Sequence, residues 1–327
     1  MSKNILITRE IPQIGIDMLE AQGYNVTVCP GKAGDAPLPQ KKFLSYLKKT
    51  PYDAVISLLT DKIDTKTLDV APTVKIFANY AAGFNNIDLA ETKKRGVIAT
   101  NTPGVSSVAV AEHAVALMFA LTTRLVEADL FTKKGKYKGW SPMSFIGSDI
   151  TGTTIGLIGV GSIGYEVARM LARGFGVKIV YYDVVANTKL ESEFSATRSD
   201  TVEGVLAQAD IVSLHVPLLD STHHLMNASR FAQMKPTAFL VNTSRGPVVD
   251  EKALVSALKK RQIAGAGLDV FEYEPKITSG LTKFPNVVLT PHIASARTSA
   301  RNDMARIAVQ NVIDVLEGRE PKFRVNK

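Results

Sequence analysis

Cysteine is almost absent from this chain of 327 residues: Cys29 is the only one. No intrachain disulfide can form and no thiolate cluster exists, so a reducing, cytoplasmic setting is the expectation. Neither H-E-x-x-H nor C-x-x-C occurs, and the five histidines are scattered, so no protein-held metal is expected. No apolar run reaches the roughly 18 residues of a membrane span, which argues against a membrane partner. Residues 1–7 lack an apolar region followed by a small-residue cleavage site, and read as a first strand instead of a signal peptide. Internal repeats and low-complexity segments are also missing. Positive charge is in excess, at a formal +8. Its lysine pairs (41–42, 48–49, 133–134, 259–260) are dispersed and not interleaved with aromatics, so nucleic acid is not an expected partner.

What is present is apolar sequence in short pieces. The 45% hydrophobic content and the length imply about two domains with sizeable cores. Ile5-Leu6-Ile7, Val26-Thr27-Val28 and Ala54-Val55-Ile56-Ser57 read as buried strands. Helix-like segments lie between them, at 11–22 and 41–49, and the alternation implies parallel sheets covered on both faces. A helix is expected over 106–130, then an arm or loop over 132–152. A second series of six strands follows, at 154–158, 178–182, 211–214, 238–242, 264–268 and 287–289. A last amphipathic helix is expected over 300–316, stopped by Gly318. The predicted fold class is α/β with two doubly wound parallel sheets. A flavodoxin-like domain, 1–101 with 292–327, would receive an inserted Rossmann domain, 102–291, and the cleft between them is the expected ligand site.

Gly159-Val160-Gly161-Ser162-Ile163-Gly164 is a G-x-G-x-x-G between a strand and a helix. That context is what a dinucleotide needs. Gly159 permits the tight turn, Gly161 lets the backbone approach a pyrophosphate, and Gly164 lets helix and strand pack. The amides of Ser162 and Ile163 would face the phosphates at the positive helix end. Asp183 ends the next strand, where a carboxylate binds ribose hydroxyls and repels a 2′-phosphate. No Arg occurs among 184–187. NAD is therefore the expected cofactor.

Three further residues follow strands of the same series: Arg245, Glu274 and His292. An Arg offers a rigid charged fork to a carboxylate. A His carries a proton near neutral pH. A Glu on its other ring nitrogen fixes the tautomer and favours the protonated form. Together they suit hydride-transfer chemistry on a 2-oxo acid. The remaining histidines read differently: His215 as structural, His223 and His224 as loop residues, His113 as a helix residue.

These segments resemble the D-isomer-specific 2-hydroxyacid dehydrogenase family over nearly the whole chain. The resemblance implies that Arg245, Glu274 and His292 form the catalytic trio and that 1–101 with 292–327 is the substrate-binding domain. It implies that Asp269 contacts the nicotinamide amide and that Thr243, Ser244, Val216 and Pro217 contact the cofactor. Asn79-Tyr80-Ala81-Ala82-Gly83-Phe84 is similar to the loop whose amides hold the substrate carboxylate, which points to Ala82 and Gly83. Ala82 stands where a Val is more usual. Leu59 and Trp140 lie in segments similar to those of members that reduce glyoxylate and hydroxypyruvate, and are expected substrate contacts. The resemblance thus implies NADH-dependent reduction of such small anionic 2-oxo acids to 2-hydroxy acids. Lactate or 2-ketogluconate chemistry is the alternative within the family, and an NAD-sensing corepressor-like binding protein is the alternative outside enzymology. It further implies a homodimer in which the arm carries Trp140 toward the partner.

Overall fold

The computed structural model describes residues 2–31 and 36–327. The chain forms two compact units, Met1–Ser106 with Ala296–Lys327, and Ser107–Ser295. The junctions thus fall a few residues beyond those expected. At the second one the reason is visible: Ile293 and Ala294 donate their amides to the Asp269 carboxylate, which pins 292–295 to the second unit.

Among the described residues, the first unit holds five strands: β1 (Asn4–Ile7), β2 (Asn25–Val28), β3 (Ala54–Ser57), β4 (Ile76–Asn79) and β5 (Ile98–Thr100). All pair in parallel, in the order β2-β1-β3-β4-β5. Every residue of β3 and β4 is buried, as a parallel sheet covered on both faces demands. Alternation sorts the side chains. Ile5, Ile7, Ile56 and Ala78 pack on one face with Met304, Ala308 and Val312 of the helix Thr298–Leu316. Leu6, Val55 and Phe77 pack on the other face with Phe43 and Leu47. The last helix has therefore returned to the sheet on which the chain began.

The second unit holds seven strands: β6 (Thr154–Ile158), β7 (Lys178–Tyr182), β8 (Thr197–Arg198), β9 (Ile211–Leu214), β10 (Phe239–Asn242), β11 (Gly265–Leu268) and β12 (Val287–Leu289). The order is β12-β11-β10-β9-β6-β7-β8, again all parallel. The six expected strands are present, and β8 is an addition of two residues at the edge. Because every strand runs the same way, the loops leaving β6, β7, β9, β10, β11 and β12 emerge along one edge. The order reverses between β6 and β9, the switch point at which such sheets bind ligands.

One expectation is corrected. The single helix expected over 106–130 is two helices, Ser107–Thr122 and Leu125–Lys133, broken at Arg124, whose φ is 56°. The Thr122 carbonyl accepts from the Ser148 amide at 2.8 Å, and Gly147 packs so closely on that carbonyl that it has no room for a side chain. The returning arm thus takes an acceptor that a continuous helix would use. Arg124 is held in its turn by Glu127, with nitrogen–oxygen distances of 2.9 and 3.0 Å.

Candidate active site

The glycine loop leaves β6 and opens the helix Ser162–Phe175, with Gly161 as its N-cap and no side chain capping it. Gly159 has φ 89°, and a Cβ there would lie 2.8 Å from the His215 backbone. A Cβ on Gly164 would strike the Gly159 carbonyl. Gly161 differs from both, because nothing lies within 4 Å of the position its Cβ would take. Two glycines are thus required by packing. The third faces open space at a helix end with unsatisfied amides, which fits a dinucleotide pyrophosphate. Asp183 follows β7 and accepts from the Val160 amide at 2.7 Å, so it also braces the loop. Arg198, on β8, donates to the Asp183 carbonyl at 3.1 Å. Sequence reasoning passed over Arg198, because only the pairing of β7 with β8 brings it there.

Val216 and Pro217 leave β9 at the switch point. Val216 lies against Gly159: its Cγ1 is 3.0 Å from where a Cβ would stand. Thr243, after β10, has a buried hydroxyl with no hydrogen-bond partner in the protein. Ser244 instead turns its hydroxyl back onto the Asn242 side chain at 2.8 Å.

Arg245 follows, half-buried, with its Nη1 donating to the Ser244 carbonyl at 2.7 Å. Burial lowers its guanidinium from the ordinary value, and the Glu274 charge opposes that. Glu274, after β11, accepts from the Phe271 amide at 3.0 Å through Oε1. Its Oε2 lies 3.0 Å from His292 Nδ1. Burial raises the Glu274 carboxyl, but the hydrogen bond and charge of His292, the Phe271 amide and Arg245 outweigh burial and leave it below the usual range. A carboxylate facing Nδ1 requires a proton on that nitrogen. The exchangeable position is then Nε2. The structure therefore brings together three residues that the sequence placed after three different strands.

His292 has φ 55°, a conformation uncommon outside glycine. The backbone is held there by Asp269, which is fully buried. Its carboxylate accepts from Thr290 Oγ1 at 2.6 Å, from the Ile293 amide at 2.9 Å and from the Ala294 amide at 2.8 Å. His113 Nε2 reaches both Thr290 Oγ1, at 3.0 Å, and Asp269 Oδ1, at 3.4 Å. Burial raises the Asp269 carboxyl, but the hydrogen bonds from His113, Thr290 and the two amides bring it below the ordinary value. Asp269, expected beside the nicotinamide, also holds the loop that carries His292. The sequence marks His113 only as a helix residue, yet it belongs to this network.

The remaining substrate candidates lie elsewhere. Ala82 and Gly83 sit in the first unit, after β4. Thr102 donates its amide to the Ala81 carbonyl at 2.9 Å. The Asn101 and Asn79 side chains donate to the Ala82 and Gly83 carbonyls, at 2.7 and 2.8 Å. In a trans peptide the N–H points opposite to the preceding carbonyl. The amides of Ala82 and Gly83 are thereby turned away from residues 101–102. Leu59 is 40% exposed in the same unit. Trp140 is 83% exposed in the arm of the second unit.

A seven-stranded unit with a bare glycine loop at its switch point, and an imidazole–carboxylate pair along the same edge, defines a dinucleotide-dependent dehydrogenase. The family model for the D-isomer specific 2-hydroxyacid dehydrogenase NAD binding domain matches residues 115–294. A glyoxylate reductase of Thermofilum pendens is 46% identical, over 99% of this chain and 94% of that protein. A glyoxylate reductase of Thermococcus litoralis is 44% identical, over 100% of this chain and 98% of that one. The crystal structure of an NADPH-dependent glyoxylate/hydroxypyruvate reductase from Sinorhizobium meliloti, in complex with NADP and malonate, superposes with a TM-score of 0.83. That structure is 30% identical and covers 99% of this chain and 97% of its own. The chain belongs to the D-isomer specific 2-hydroxyacid dehydrogenase family.

Proposed function

We propose that this protein reduces small 2-oxo acids, glyoxylate and hydroxypyruvate first among them, to the 2-hydroxy acids, with NADH as reductant. The observation that carries the reading is the His292 Nδ1–Glu274 Oε2 contact of 3.0 Å, which reserves Nε2 for a proton in transit. When bound, the reduced nicotinamide supplies a hydride to the carbonyl carbon. His292 delivers the proton to the carbonyl oxygen from Nε2, and takes it back in the reverse direction. Glu274, ionised at neutral pH, stabilises the imidazolium before that transfer. Arg245 holds the substrate carboxylate and draws electron density from the adjoining carbonyl. The amides of Ala82 and Gly83, turned away from residues 101–102, are further donors for an anionic group.

The glyoxylate reductase relatives support the substrate class. Asp183 supports NADH over NADPH, while Arg198 beside it moderates that preference. The single buried cysteine supports a reducing compartment, the cytoplasm. Among the described residues, no helix is long and apolar enough to cross a membrane. The arm and the helix before it expose Leu125, Leu130, Tyr137, Trp140, Met143 and Ile146. An apolar surface of this kind supports a homodimer with the arm as its contact and Trp140 as a limit on substrate size. The test is NADH oxidation with a panel of 2-oxo acids, alongside light scattering. Turnover that falls as the substrate lengthens, from a particle of twice the chain mass, is expected. Absence of turnover with every 2-oxo acid, in a protein that binds NADH, would make it a binding protein instead.

A further inference from the structure

The loops that carry Arg245 and Glu274 are joined by charged groups that the proposed reaction does not use. Glu251 is 1% exposed, and the Glu272 side chain is 5% exposed. Each carboxylate accepts the other residue's backbone amide: Glu251 N to Glu272 Oε2 at 3.1 Å, and Glu272 N to Glu251 Oε1 at 3.0 Å. The remaining Glu272 oxygen, Oε1, lies 2.8 Å from His224 Nε2. His224 in turn donates its amide to the Pro247 carbonyl at 2.8 Å and sits at φ 48°. Gly246 packs so tightly under the Phe271 carbonyl that no side chain fits there. Three segments, 224–226, 245–251 and 271–274, are thus stitched into one block immediately behind Arg245 and Glu274.

One buried carboxylate, Glu272, facing a half-exposed histidine, with the buried Glu251 carboxyl beside it, makes a poor stabilising device. Desolvation of such groups offsets much of what their pairing contributes, and well-packed apolar residues would serve stability as well. A histidine in the left-handed region adds strain. What this arrangement does provide is a defined distance between two loops from different strands. Carboxylate–amide bonds fix position in a way that apolar packing does not.

We propose that His224, Glu272 and Glu251 form a positioning clasp that sets Arg245 against Glu274, with His224 as the group whose loss releases it. The proposal rests on the reading of Arg245 as the substrate clamp. None of the three touches substrate or cofactor. They act through Arg245 and Glu274. Glu272 is held ionised, because the hydrogen bonds from Tyr273, His224 and the Glu251 amide outweigh burial, which raises its carboxyl.

The experiment measures steady-state kinetics, NADH affinity by fluorescence and thermal unfolding on the full-length protein. His224→Ala and Glu272→Ala should raise KM for the 2-oxo acid about tenfold and lower kcat, with NADH affinity within about twofold of wild type. His224→Gln keeps a donor for Glu272 and should restore most of the loss. In an Arg245→Lys background, His224→Ala should add little, because both changes act on one element. Unchanged kinetics in folded His224→Ala, with only a lower Tm, would overturn the clasp. So would equal losses in substrate and NADH binding, which mark a general loosening of the unit. Additivity with Arg245→Lys would overturn it too. If Arg245→Lys alone left the KM for the oxo acid unchanged, the clamp reading would fail first, separately from the clasp. If Glu272→Ala did not fold, His224→Gln and His224→Ala would still decide.

Discussion

The second unit builds two regions along one edge by opposite means. The glycine loop at 159–164 is shaped by side chains that are missing: Gly159 and Gly164 have no room for a Cβ, and Gly161 leaves open space. The reaction loops after β10, β11 and β12 are shaped by side chains that are present and charged. Asp269 anchors the His292 loop, and Glu272 and Glu251 join the Arg245 and Glu274 loops. The first device offers backbone amides, which need only be bare to receive an anion. The second must hold three side chains in register, and loops from separate strands do not do this without cross-links. One sheet edge is thus shaped in one place by subtraction and in another by buried polar contacts, which on the proposed reading serve binding and catalysis respectively.

That contrast breaks most sharply at His292. His292→Ala should cost about 10²–10⁴ in kcat, the usual worth of a general acid–base group. NADH affinity should stay close to wild type. A variant that lost NADH binding instead would make the two regions one.

Glu274→Gln tests the electrostatic half. The Glu274 carboxyl lies below its ordinary range, so it is ionised throughout the neutral region and favours the protonated imidazole. Removing the charge removes that favour, and reduction needs the protonated form. The alkaline limb of the reduction profile should therefore move to lower pH. An unmoved limb in a folded, active variant would dissolve the pairing.

Gly161→Ala sharpens the other region. The added methyl meets nothing in the protein, so Tm should hold. If the space belongs to a pyrophosphate, one charge-assisted hydrogen bond is lost or stretched, worth about 1.5–3 kcal/mol, and NADH should bind tenfold or more weakly. Unaltered affinity would mean that the bare cradle has no anion to hold. The smallest effect is expected at Asp183. It is partly exposed, and exposed charges are well screened, so Asp183→Ala should shift the NADH-to-NADPH preference only about a few-fold. Arg198→Ala should shift it the other way. Better catalytic efficiency with NADPH in the unaltered protein would sink the reading of Asp183.

Some of this was legible before any fold was known. Alternating short apolar runs imply parallel sheets, because a strand buried on both faces has to be apolar throughout. A glycine motif between strand and helix is local, and its meaning depends on residues within a few positions of one another. Arg245, Glu274 and His292 stood out because each follows a strand in a series whose ends share one edge, and because of the family resemblance. Other features were not legible. The break at Arg124 depends on the arm returning to the Thr122 carbonyl, a contact that helix propensity does not register. β8 is two residues long, too short for any periodicity, and it alone places Arg198 beside Asp183. His113 meets Thr290 across 177 residues of sequence, and His224 meets Glu272 across 48. The sequence by itself determined the two sheets, the glycine loop between strand and helix, and which kinds of group follow the strands of the second series, since each is encoded in neighbours along the chain. The tertiary structure alone decided which buried partners hold those groups in place, since a carboxylate finds its donors only after the strands have been ordered.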